Sequence, residues 1–186
     1  MTRPMTGRHF TLEPFPVTPP AMVPDYRIDG HCSRSARILT LRFELQGDLS
    51  RLSLAAPAAP PERRMGLWNA TCFEFFLAPA GDPGYWEFNL SPARHWNVFR
   101  FSGYRQGMQE EKAFSTLPFN VDRGERKVEL VLKAFIPLPI VEPAAPWRLA
   151  ICTVLLSRDG SATYWALAHP GPEADFHHPK GFLVEL

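Results

Sequence analysis

Glu74, Glu87, Asn89, Arg100 and Trp96 lie in three successive apolar runs, TCFEFFLA, YWEFNLS and HWNVFRF, and their types suit recognition of hydroxyl groups. Carboxylate, amide and guanidinium groups are planar and fix vicinal hydroxyls by paired hydrogen bonds, while an indole stacks on the apolar face of a ring. If the turn-rich APAGDPG folds the first two runs together, Phe73, Phe75 and Leu77 lie opposite Leu90, Phe88 and Trp86 on one apolar face. The other face then carries Glu74 across from Asn89 and Phe76 across from Glu87. A turn at Pro92 and Ala93 that keeps this parity adds Trp96, Val98 and Arg100, with Arg100 across from Glu87. The expected product is a ligand-binding surface of Glu74, Glu87, Asn89, Arg100 and Trp96. The plainer alternative is a solvated sheet face with one ion pair, against which Phe76 and Trp96 on that face both count.

Other chemistry is less well supported. His169, Asp175, His177 and His178 in AHPGPEADFHHP invite a metal reading, yet their spacing fits no standard ligand signature. Neighbours in a strand point to opposite faces, so His177 and His178 would not both join His169; loop histidines that bond to backbone or line a cleft are expected instead. Ser91 and Ser102 lack a nucleophile elbow. Glu74 and Glu87 could serve as the acid and base of a glycan hydrolase, but an arginine opposite Glu87 would hold it ionised, which suits binding at least as well. An aromatic content of 12% also allows a protein-interaction module, with Trp96, Tyr104 and proline-rich loops as its docking patch.

The elements that position these groups read as strands. Leu39, Leu41, Phe43 and Leu45 alternate with polar neighbours, as do Val128, Leu130 and Leu132. Trp147 to Leu155 runs into Arg158-Asp159-Gly160 and then TYWALA, a hairpin pattern, and GFLVEL supplies a closing strand. Twenty prolines, concentrated at residues 55 to 62 and 136 to 146, exclude helix interiors and central strands there and mark loops. The 186 residues are read as a single domain, 1–186. A net charge of +1 gives no electrostatic footprint for nucleic acid or an anionic membrane. Cys32, Cys72 and Cys152 are an odd set without ligand spacing, expected to be reduced and buried. With the proline-broken N-terminus, they point to the cytoplasm.

LWNATCFEFFLAP, with Trp68 six residues before Glu74, GYWEFNLSPARHWNVFRFSGYRQGM, and TYWALAHPGPEADFHHPKGFLVEL together resemble the DOMON-like superfamily, in particular relatives of carbohydrate-binding module family nine. The resemblance covers most of the chain from about Leu39. It implies an all-β fold, an antiparallel jelly-roll-like β-sandwich that binds sugars in some members and haem in others. Sugar-binding members commonly carry an acid three positions before the strand glutamate; here that position is Thr71. Haem-binding relatives use an axial methionine with a distant histidine or lysine, for which Met65 and His169 are the available pair. The expectation is a non-catalytic module without a cofactor, binding a small polar, sugar-like molecule. Trp96 and Trp68 stack, Glu74, Glu87, Asn89 and Arg100 supply hydrogen bonds, and Arg94, Tyr104 and His169 form the rim. Oligomeric state is left open by the sequence.

Overall fold

Alternating apolar side chains build the two layers of the fold. The computed structural model describes residues 6–16, 25–137 and 145–186, and their regular structure is antiparallel β-sheet with short 3-10 turns. One layer runs in the order β1 (Thr6–Pro14), β2 (Arg27–Ser35), β3 (Ile38–Gln46), β9 (Lys127–Phe135) and β8 (Phe119–Arg123). The other runs β7 (Gln109–Glu110), β6 (Trp96–Phe101), β5 (Tyr85–Leu90), β4 (Cys72–Pro79), β10 (Trp147–Leu156) and β11 (Ala162–Ala166). β1 joins them, pairing with β2 over most of its length and with β11 at Glu13 and Pro14, so the sheet curls into a sandwich.

Between the layers lies an apolar core. Leu39, Leu41, Phe43 and Leu45 of β3 and Val128, Leu130 and Leu132 of β9 face Phe73, Phe75, Trp86, Phe88, Leu149 and Ile151. Phe43 and Phe73 meet across the gap with ring centroids 5.2 Å apart, and Phe75 stacks on Phe88 at 4.3 Å. Truncating a buried phenylalanine of this kind costs about 3–5 kcal/mol.

The expected strands at 39–45, 128–132 and 147–155 and the hairpin to TYWALA are present, whereas the closing strand shrinks to β12 (Val184–Glu185), paired with β10. β1 and β2 were not anticipated. Their apolar pattern is broken at Gly30, where the Phe10 ring fills the missing side chain's place: a Cβ there would lie 2.2 Å from Phe10 Cζ and 2.1 Å from the Arg42 carbonyl oxygen. Residues 55–62 form a loop, as expected; the second proline-rich stretch lies mostly outside the described residues. All three cysteines are free and buried.

Candidate functional site: a covered acidic row on the outer sheet face

The first hairpin pairs as the sequence predicts, Glu74 with Asn89, Phe76 with Glu87 and Phe75 with Phe88. Phe73, Phe75, Leu77, Trp86, Phe88 and Leu90 enter the core, which puts Glu74, Glu87 and Asn89 on the outer face of β4 and β5.

The second hairpin corrects the expected site. Ser91 and His95 close a loop of Pro92, Ala93 and Arg94, with the Ser91 N–H donating to the His95 carbonyl at 2.9 Å. Arg94 adopts a left-handed φ of 69°. A three-residue loop ending in that conformation shifts the parity by one relative to a two-residue turn. Glu87 therefore pairs with Phe99, Asn89 with Asn97, and Trp86 with Arg100. Trp96 joins the core at 4% exposure, where the Arg63 guanidinium covers its ring at 4.3 Å. It has no free face for a ligand to stack on. Arg100 lies on the same side as Trp86, its guanidinium 5.7 Å from that ring, away from Glu87. Arg94 stays in the loop with its Nε buried and unpartnered. His169 is held elsewhere, Nε2 2.9 Å from the Glu13 carbonyl and its ring beside Phe15.

What takes their place is aromatic. Phe76, Tyr85, Phe99 and Phe101 form a second apolar cluster on the outer face, packed against by Trp68, Phe176 and Phe182. Trp68 sits in the 3-10 turn Leu67–Asn69, which starts at Gly66 with φ 75°, and meets Phe99 edge-on at 5.6 Å. The C-terminal segment 171–182 lies over this cluster. His177 Nδ1 is 2.8 Å from the Tyr85 hydroxyl, which also accepts from the Arg105 backbone N–H at 3.1 Å. The other ring nitrogen, Nε2, lies 3.9 Å from Glu87 Oε2. Asp175 latches the segment. It accepts from Arg105 Nη2 at 2.7 Å, from Tyr104 Oη and from the His177 N–H at 3.1 Å. Tyr104 thus lies at the edge of the covering segment.

Beneath this cover both acidic residues are buried, Glu74 at 2% and Glu87 at 4% exposure. Asn89 Nδ2 donates to Glu87 Oε1 at 2.8 Å, while Glu74 Oε1 has no partner. Burial, reinforced by the neighbouring Glu87 charge, pushes the Glu74 carboxyl well above its ordinary range. Burial also raises Glu87, against the opposing pull of Asn89 and Arg105. His177 is lowered to about 4, chiefly by burial and next by the Arg105 charge. Cys72 and Cys152 flank Glu74, and burial raises both thiols.

The structure therefore brings together Glu74, Glu87, Asn89, Trp68 and Tyr104, and adds Tyr85, Phe99, Phe101, Arg105 and His177. It separates Trp96, Arg100, Arg94 and His169 from them. Among the described residues no group of three or more His, Cys, Asp or Glu side chains could hold a metal ion. His178 instead accepts from the Lys180 backbone N–H.

Solved structures similar to this chain include the following two. A candidate carbohydrate-binding protein from Bacteroides uniformis ATCC 8492 aligns with a TM-score of 0.65 at 15% identity, covering 94% of this chain and 84% of that one. The likeness is one of fold. It agrees with the β-sandwich that the sequence resemblance implies. A family 9 carbohydrate-binding module from Caldicellulosiruptor kristjanssonii, solved with glucose, aligns at 0.43 and 10% identity over 78% of this chain and 69% of that one. No family model matches the chain, and a search of curated proteins returned no match.

Two details of the resemblance can be placed in the structure. Met65 is exposed beside Arg64, whose backbone N–H donates to the Trp96 carbonyl in β6, whereas His169 bonds to the Glu13 carbonyl in β1, five strands along the sheet. Thr71, at the position of the missing acid, is buried structurally, its hydroxyl donating to the Ser53 carbonyl and accepting from the Leu156 N–H.

Proposed function

We propose that this protein is a non-catalytic binding module for a small, sugar-like molecule, held on the outer face of β4, β5 and β6 under the 171–182 segment. The observation that carries this reading is the row of Glu74, Asn89 and Glu87 set among the aromatic rings of Trp68, Phe76, Tyr85, Phe99 and Phe101. A sheet face built only for solvent needs neither the rings nor a chain segment laid over them, whereas a hydroxylated ring needs polar groups in its plane and apolar surface on its faces. The fold shared with a candidate carbohydrate-binding protein supports the same class. Binding is favoured over hydrolysis because burial disfavours the ionised nucleophile or base that a glycosidase requires from one of its carboxylates. Because the segment covers the row, a ligand enters as the segment lifts at its Asp175 latch. Free, buried cysteines support placing the protein in a reducing compartment such as the cytoplasm.

A thermal-shift screen of mono- and disaccharides followed by calorimetric titration tests the reading. A saccharide should raise the melting temperature in a concentration-dependent way. Trp68→Ala should weaken its binding by about 1 kcal/mol through lost stacking. A panel in which no saccharide binds would remove the proposal.

A further inference from the structure

The His177 imidazole occupies a box. The rings of Phe76, Tyr85 and Phe101 surround it at centroid distances of 5.0, 5.8 and 5.0 Å, each inclined by 64–70° to it. Glu87 lies beyond Nε2 at 3.9 Å, and the unpartnered Glu74 Oε1 is buried on the neighbouring strand. Aromatic rings with a carboxylate beside them are how proteins hold an ammonium group, through the ring quadrupoles and direct charge attraction. This box nevertheless contains a neutral ring. Its imidazole is hydrogen-bonded to Tyr85 and is lowered to about 4 by burial and the Arg105 charge, so it carries no charge near neutrality. Nor does another side chain supply the cation: Arg105 is taken up by Asp175, and among the described residues no lysine or arginine forms an ion pair with Glu74 or Glu87.

We infer that this box is a cation subsite plugged by His177, and that the module's ligand carries an ammonium group, as an amino sugar does. The inference rests on the carbohydrate reading above and narrows it. In the closed protein neither carboxyl has a cation beside it, and burial favours the protonated form of both. A ligand ammonium that displaces the imidazole gives Glu87 the counter-charge it lacks, with the same three rings around it. A neutral sugar gains only hydrogen bonds from the exchange and still has to displace the plug.

The test is calorimetric titration of the full chain at pH 6.5 with glucosamine, glucose and N-acetylglucosamine, the last keeping the nitrogen but not its charge. Glucosamine is expected to bind about tenfold or more tighter than either neutral sugar, a factor of ten being about 1.4 kcal/mol. His177→Ala should tighten glucosamine and the neutral sugars alike by removing the plug, and so keep the glucosamine preference. Glu87→Gln should bring the glucosamine-to-glucose ratio toward one, and Phe101→Leu, which removes one wall without touching a carboxyl, should reduce it even if the Glu87 variant fails to fold. Equal affinity for the three sugars in the parent protein would overturn the cation subsite and leave the carbohydrate reading standing. A glucosamine preference unchanged in both Glu87→Gln and Phe101→Leu would also overturn it by placing the amine elsewhere. Absence of binding by all three sugars to both the parent and His177→Ala would overturn the inference together with that reading.

Discussion

His177 should make the fold sensitive to acid in a way that a single substitution isolates. In the folded protein its pKa is lowered from 6.5 to about 4, while an unfolded chain returns it to the ordinary value. The unfolded state therefore binds more protons between those limits, and stability falls as pH drops through that window. Integrating the linkage for these two values gives a loss of about 2 kcal/mol between pH 7 and pH 5, rising to about 3 kcal/mol at pH 4. Glu74 and Glu87 act in the opposite sense: their raised values mean the folded state retains protons, so their contribution grows as pH falls. The parent protein's own profile mixes the two. His177→Gln removes the titrating group and leaves the carboxyls, so the informative quantity is the stability of parent minus variant, from urea denaturation at pH 7, 6 and 5. That difference should shift against the parent by about 2 kcal/mol over the range. A flat difference would mean that His177 titrates normally. A shift in the parent's favour would mean that it is a buried imidazolium paired with Glu87, and the plug would then be a charged one.

Arg94→Gly should stabilise the protein by about 1 kcal/mol, since a non-glycine residue at φ 69° carries left-handed strain and this one also buries an unpartnered Nε; the urea midpoint measures it. Gly30→Ala should cost about 3 kcal/mol, because the new methyl would strike the Arg42 carbonyl as well as the movable Phe10 ring; chemical denaturation again decides. Asp175→Asn should speed amide exchange across 171–182 while leaving the protection of β4 and β10 unchanged, because it removes the charge that holds Arg105 at the rim.

Where one face of a strand is buried and the other wet, the sequence is enough to place it. β3 and β9 alternate cleanly because their outer residues, such as Arg42, Glu44, Lys127 and Glu129, form a charged network on an open face. β6 resists the same treatment. HWNVFRF offers Trp96 and Val98 on one parity and Phe99 and Phe101 on the other, since both faces of this strand are covered. The tie was settled by an arginine in a left-handed turn, a position with no glycine or asparagine to announce it. Arg100 misleads for a related reason: a charge within an apolar run suggests a partner in the sheet, but this one reaches solvent beside Trp86. β1 and β2 stayed hidden because Phe10 and Gly30 make one packing unit from two strands that neither sequence completes alone. Of the site, the cross-strand partners Glu74, Glu87 and Asn89 were legible through local pairing. His177 belongs to an irregular segment without periodicity, and only its proximity to Asp175 in AHPGPEADFHHP hinted that the loop holds polar groups in place.

The cover over the acidic row has an energetic consequence for any ligand. Burial without a cation raises both Glu74 and Glu87, so the closed arrangement disfavours their charged forms. A ligand that binds only when the segment has lifted has an apparent affinity reduced by the fraction of molecules already open. The Phe182, Phe176 and His177 contacts favour the closed form, and the exposed Arg105–Asp175 pair adds a salt-sensitive contribution at its edge. Opening costs every ligand the same, so selectivity rests on what replaces the cover: any sugar offers apolar surface, whereas the missing charge is met only by a cationic molecule. On the function proposed above, a neutral sugar and its cationic analogue are therefore expected to differ in affinity by the charge contribution alone.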